Sequence, residues 1–86
     1  MNDTLHIASL VVLTRPEHLA AVKANLGLLD GLELHQQSPA GKLVVVLEAD
    51  HERQILERIE QINNLPGVLN AALIYHECLD RAGDLQ

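Results

Sequence analysis

Catalysis or metal binding in this chain would have to come from its histidines, its one cysteine, a serine or a pair of carboxylates. The histidines stand at His6, His18, His35, His51 and His76. No two of them have the HxH, HxxxH or HExxH spacing that turns two imidazoles toward one ion, and no cysteine lies at metal-site spacing. His76 and Cys78 are two apart at a strand end, and one such pair is a weak metal signal. The histidines read as solvated polar residues, with His76 a strand-end hydrogen bonder. A nucleophilic thiol needs an adjacent base and an oxyanion site, and Cys78, beside the C-terminal tail, reads as a spectator. Ser9 sits between apolar neighbours, which suits a sheet position. The five glycines are spread singly, so no loop is built to cradle phosphate, and Glu57 and Glu60 fall on the solvent side of a helix. The expectation is no catalytic residue, no metal and no cofactor; the chain reads as a binding domain, not an enzyme.

The bulk properties narrow what could be bound. The 86 residues carry a net charge of −6, from 12 acidic and 6 basic side chains. Arg15, Lys23, Lys42, Arg53, Arg58 and Arg81 are dispersed, so a phosphate backbone would be repelled and nucleic acid is excluded as a partner. Tyr75 is the only aromatic residue, which leaves no platform for stacking bases. The negative field would attract a cationic partner, or serve solubility alone. A single cysteine permits no intramolecular disulfide, as suits a reducing compartment. The start Met1-Asn2-Asp3-Thr4 lacks the basic and apolar segments of an export signal, and no apolar run reaches the roughly 18 residues of a membrane span. The expected location is the cytoplasm, without membrane insertion.

These residues are positioned by a simple succession of elements. Leu5 to Leu13 is apolar on both faces and reads as a central strand. Thr14-Arg15-Pro16-Glu17 reads as a helix start, with Thr14 capping and Glu17 closing a capping box. Leu19, Val22, Leu26 and Leu29 make one apolar stripe, and Asp30-Gly31 ends the helix. Gly31 to Gln37 alternates as a half-exposed strand near an edge. Ser38-Pro39-Ala40-Gly41 turns the chain into a buried strand from Lys42 to Glu48. Asp50 is placed to cap a second helix, whose stripe is Ile55, Ile59 and Ile62 with Leu65, and Pro66-Gly67 stops it. Val68 to His76 is the last strand. The chain is expected to be one domain over 1–86, with an ordered core of about 5–77 and a mobile tail of 78–86.

One spacing separates Leu19 from Ile55, Leu26 from Ile62, Leu29 from Leu65 and Gly31 from Gly67, so the two halves echo each other. Two such halves in the order βαββαβ make the α+β, ferredoxin-like fold, a four-stranded antiparallel sheet with two helices on one face. The first and third strands then lie in the centre.

Helices cover one side of such a sheet, and the other should be polar at every second position. Here it is not. Glu48 assigns Val44 and Val46 to the open side. Asn70 and His76 assign Ala72 and Ile74 to it as well. Ser9 assigns Ile7, Val11 and Leu13 there, although the internal repeat, which aligns Val12 with Glu48, points the other way. An uncovered aliphatic patch rimmed by Glu48 and Glu33 marks a binding surface, either for a basic amphipathic helix or for a second copy of the chain.

The strand residues Ser9-Leu10-Val11-Val12, Gly41-Lys42-Leu43-Val44-Val45-Val46-Leu47-Glu48, Leu65-Pro66-Gly67-Val68-Leu69 and Leu73-Ile74-Tyr75-His76 resemble the NapD family in order and spacing. The resemblance runs from about Leu5 to Glu77. It implies a cytoplasmic chaperone that binds the twin-arginine signal peptide of the periplasmic nitrate reductase catalytic subunit and delays its export until the molybdenum cofactor is inserted. It implies no cofactor and no catalysis. Such a peptide has a basic start and an apolar stretch, which match the charge and the open face. The expected peptide-binding residues are Ser9, Val11, Val44, Val46, Glu48, Ala72, Ile74 and His76, on a monomer or weak homodimer. Two rivals share the fold. A small-molecule-sensing or self-associating dimer domain of the transcription-regulator kind would normally need an attached DNA-binding segment, for which this length leaves no room. An acylphosphatase-like enzyme would want an arginine in a glycine-rich loop after the first strand. Arg15 is near that place, but Pro16 follows it and no such loop surrounds it.

Overall fold

The computed structural model describes residues 4–80. Among these, the chain forms β1 (Thr4–Thr14), a short 3-10 helix (Pro16–His18), α1 (Leu19–Leu26), β2 (Leu32–Ser38), β3 (Lys42–Ala49), α2 (Glu52–Asn63) and β4 (Val68–Asp80). The strands make one sheet in the order β2-β3-β1-β4, with every neighbouring pair antiparallel. This is the expected ferredoxin-like arrangement, and β1 and β3 are its central strands.

Period-two alternation decides which side chains meet the helices. Ala8, Leu10 and Val12 of β1 and Leu43, Val45 and Leu47 of β3 are wholly buried or nearly so. They pack with Val22 and Leu26 of α1 and with Ile55 and Ile62 of α2, while Leu19, Leu29, Ile59 and Leu65 close the margins. The inner residues of both predicted stripes are buried, but α1 ends at Leu26, capped by Gly27, rather than at Asp30-Gly31, and α2 ends at Asn63, so Leu29 and Leu65 pack from the turns that follow. The echo between the halves is physical in the helices and their exits. Leu26 and Ile62 are both core residues, and Gly31 (φ 74°) and Gly67 (φ 89°) both turn the chain through the left-handed region. A Cβ on Gly31 would lie 2.6 Å from the Glu48 carbonyl oxygen, so only glycine fits this approach of β2 to β3. The echo does not extend to the strands. Val12 is buried against the helices, whereas Glu48 is exposed on the opposite face, which confirms the face that Ser9 indicates for β1.

Both expected helix caps are corrected. Thr14 ends β1 rather than starting α1. Its amide donates to the Gly41 carbonyl at 2.7 Å, and its hydroxyl donates to the Arg15 carbonyl at 3.1 Å. Held as the last residue of β1, Thr14 lies one residue before the cap position of the 3-10 turn, Arg15, and four before that of α1, His18, so its hydroxyl is not at the cap position of either. At α2 the cap position is His51, not Asp50; the Gln54 side chain accepts the Asp50 amide at 2.9 Å. Strand β4 also runs past His76, its expected end, to Asp80, because β1 extends back to Thr4 and offers it partners. Of the expected tail, residues 81–86 lie outside the described residues.

Candidate functional site

The face of the sheet away from the helices is crossed by rows of side chains that the strand register fixes. Nearest the β2–β3 hairpin lie Ser38, Lys42, Leu13 and Asn70. Next come Gln36, Val44, Val11 and Ala72. The third row is Glu33, Val46, Ser9 and Tyr75, and the fourth is Glu48, Ile7 and Glu77. Leu5 and Leu79 form the last pair. Val11, Val44, Val46 and Ile7 are half-buried by their neighbours alone, while Ala72 and Tyr75 are exposed. The centre is therefore aliphatic, and the acidic residues gather at one end.

Two shallow depressions follow the β2–β3 seam. One is lined by Gly31, Leu32, Glu33, Val46 and Glu48, and the other by Gln36, Gln37, Ser38, Lys42 and Val44. The acidic depression suits a cationic head with an apolar stem, because Val46 lies beside the two carboxylates. The depression at the other end carries the ammonium of Lys42 instead.

Of the sequence-predicted residues, the register brings Ser9, Val11, Val44, Val46, Glu48 and Ala72 together on this face. It does not bring His76. Ser9 is the partner of Tyr75 and Leu10 is the partner of Leu73, so Ile74 is an extra residue, a β-bulge, without a partner in β1. Beyond the bulge the alternation is reversed. Tyr75 and Glu77 join the open face, and His76 and Cys78 move to the helix side. An unbroken ladder would set Tyr75 against Ala8, a position already filled to 0% exposure. The bulge spares the core that aromatic ring. Ile74 itself is 56% exposed at the kink. Tyr75 and Glu77 are the open-face residues that alternation misses, and the mismatch of a tyrosine with a small alanine in the central strand is the signal that could find them.

On the helix side, His76 meets His6. Their Nε2 and Nδ1 atoms are 3.0 Å apart, so one ring donates and the other accepts. Cys78 Sγ lies 4.0 Å from the other nitrogen of His6. Together they link the far ends of β1 and β4. Among the described residues, no group of three His, Cys, Asp or Glu side chains is placed to hold a metal ion, and no helix is long and apolar enough to cross a membrane.

Comparison with known proteins adds a consistent result. Residues 5–80 match the family model described as NapD protein. The chaperone NapD of Escherichia coli is 32% identical over 78 residues, which cover 90% of each chain. That of Haemophilus influenzae is 32% identical over 73 residues, covering 84% of this chain and 78% of the relative. The solution structure of the E. coli Tat proofreading chaperone protein NapD superposes with a TM-score of 0.81 at 30% identity, covering 94% of this chain and 86% of that one. A transcriptional regulatory protein of the AsnC family from Pyrococcus furiosus superposes at 0.67 with 14% identity, covering 80% of this chain and 49% of that one, a likeness of fold alone.

Proposed function

This chain belongs to the NapD family, and from that premise we propose that it binds the twin-arginine signal peptide of the periplasmic nitrate reductase catalytic subunit in the cytoplasm and delays export until the cofactor is in place. The relatives are named chaperones, a role without catalysis, and the chain is a chaperone rather than an enzyme. The observation that carries the peptide reading is the open face, whose aliphatic centre has no helix over it and whose acidic residues sit at one end. A signal peptide joins a basic segment to an apolar one, and this face offers a counterpart to each. Fully burying a Val or Ile side chain contributes roughly 1.5–3 kcal/mol, and covering the already half-buried Ile7, Val11, Val44 and Val46 adds a fraction of that each, which together helps offset the entropy of ordering a flexible peptide. Holding the apolar segment against the sheet would keep it from the export machinery.

Calorimetric titration with a synthetic twin-arginine signal peptide tests the reading. Micromolar or tighter binding is expected, on the order of −8 kcal/mol, and it should weaken when both arginines are changed to alanine. Absence of binding, by heat and by competition with a labelled peptide, would leave a second copy of the chain as the occupant of the face. Sedimentation equilibrium would then show a dimer.

A further inference from the structure

We propose that the peptide lies on the open face in one direction only, its arginines over the Glu48–Ile7–Glu77 row and its apolar stretch running parallel to β1 toward Leu13 and Lys42; this rests on the peptide-binding reading above. The face is asymmetric along β1. Glu33, Glu48 and Glu77 all fall in two adjacent rows at the end where β1 begins. The rows at the other end hold Gln36, Ser38 and Asn70, with Lys42 as the charged member. Arginines placed there would meet an ammonium, and an apolar segment at the first end would desolvate carboxylates with nothing in return. Only one direction satisfies both segments.

The spacing across the sheet suits two arginines in succession. Glu48 and Glu77 lie on strands β3 and β4, on either side of Ile7 in β1, hence about 10 Å apart at two strand separations. Adjacent side chains on a helix diverge by about 100° around its axis. A helix lying along β1 therefore sends one arginine toward each glutamate while its underside rests on Ile7. Tyr75, which the bulge turns onto this face beside Ser9, exposes a ring that a guanidinium can cover. From Ile7 to Leu13 the strand spans about 20 Å, the length of roughly 13 helical residues, which accommodates the 7–15 apolar residues of a signal peptide. The peptide helix would end near Lys42, where a cation complements the negative end of its dipole.

Paramagnetic broadening of backbone amides measures the direction. A nitroxide at the N-terminus of a synthetic twin-arginine peptide should broaden Ile7, Glu48 and Glu77 and spare Leu13 and Lys42. The same label at the C-terminus should do the reverse. The opposite pattern, or equal broadening from both ends, overturns the single direction while leaving binding intact. If the unlabelled peptide causes no shifts at all, the peptide-binding reading fails instead. Glu48→Gln and Glu77→Gln should each weaken binding about 2- to 5-fold, as exposed ion pairs do. That loss should vanish against a peptide whose arginines are glutamine, and a loss that persists against it overturns the assignment.

Discussion

Along the central strands β1 and β3 the two faces of the sheet carry similar aliphatic side chains, yet one is the core and the other is surface. In β3, Leu43, Val45 and Leu47 are closed off by the helices, while Val44 and Val46, one residue away each, have only their own neighbours for cover. In β1, Leu10 and Val12 differ from Val11 in the same way. Residue type alone thus cannot locate function in this molecule. What distinguishes the open face is aliphatic character retained where the fold gives it no partner, together with negative charge gathered at one end. Most of the stability comes from the covered face, and the open one is available for binding.

Paired substitutions in β3 should make that contrast largest. Leu43→Ala empties a fully buried site and should cost about 2–5 kcal/mol. Val44→Ala, its neighbour in sequence, removes only half-covered methyls and should cost less than about 1 kcal/mol. Urea denaturation of the two variants checks this, and equal losses would mean that the open face contributes to folding as the covered one does. A smaller effect is expected at the edge of the covered face. Asn63 at the end of α2 accepts the Ala71 amide at 2.9 Å and donates to the Ala71 carbonyl at 3.3 Å, occupying hydrogen-bonding groups of edge strand β4. Asn63→Ala should cost about 1–3 kcal/mol in the same assay, because Ala71 is buried and its amide would be left unpaired. On the open face the effect should move from stability to binding. Val46→Glu should leave the urea midpoint near that of the parent and weaken signal-peptide affinity tenfold or more, about 1.4 kcal/mol. Undiminished affinity in the folded variant would place the peptide elsewhere.

The contrast between β3 and β4 also shows what the sequence makes legible. The faces of β3 follow from a strict alternation that ends in a charged Glu48, because β3 pairs with β1 without a break and the one irregularity on its other side, at His35, falls in β2. The helical stripes are equally plain, since Val22, Leu26, Ile55 and Ile62 sit at the period the core requires. The faces of β4 beyond Leu73 are not, because reading every second residue assumes a continuous ladder and one bulge reverses it. The helix caps fail for a related reason. Thr14 has the chemistry of a cap, but its pairing with Gly41, a residue distant in sequence that the β2–β3 hairpin brings alongside, holds it in β1, short of where the helix begins. Local signals name candidates, and tertiary partners choose among them.

The bulge allows the mildest test, in which removing a residue should change little. Ile74 has no partner in β1, and its neighbours Leu73 and Tyr75 are already matched to Leu10 and Ser9. Deleting Ile74 would join those two pairings into a regular ladder and leave Tyr75 and Glu77 on the open face and His76 against His6. Because β4 is at the edge, no further strand is thrown out of register. The deletion should therefore shift stability by less than about 1 kcal/mol, far less than loss of an ordinary strand residue, whose removal turns every following side chain to the wrong face. Deleting Ala72 provides a comparison within the same strand. Closing the ladder there sets Leu73 against Val11 and Ile74 against Leu10, which exchanges the faces of both, whereas deleting Ile74 exchanges none. If the two deletions are equally damaging in urea and in peptide titration, the bulge is itself needed, and its kink rather than its reversal of faces is what shapes the binding surface.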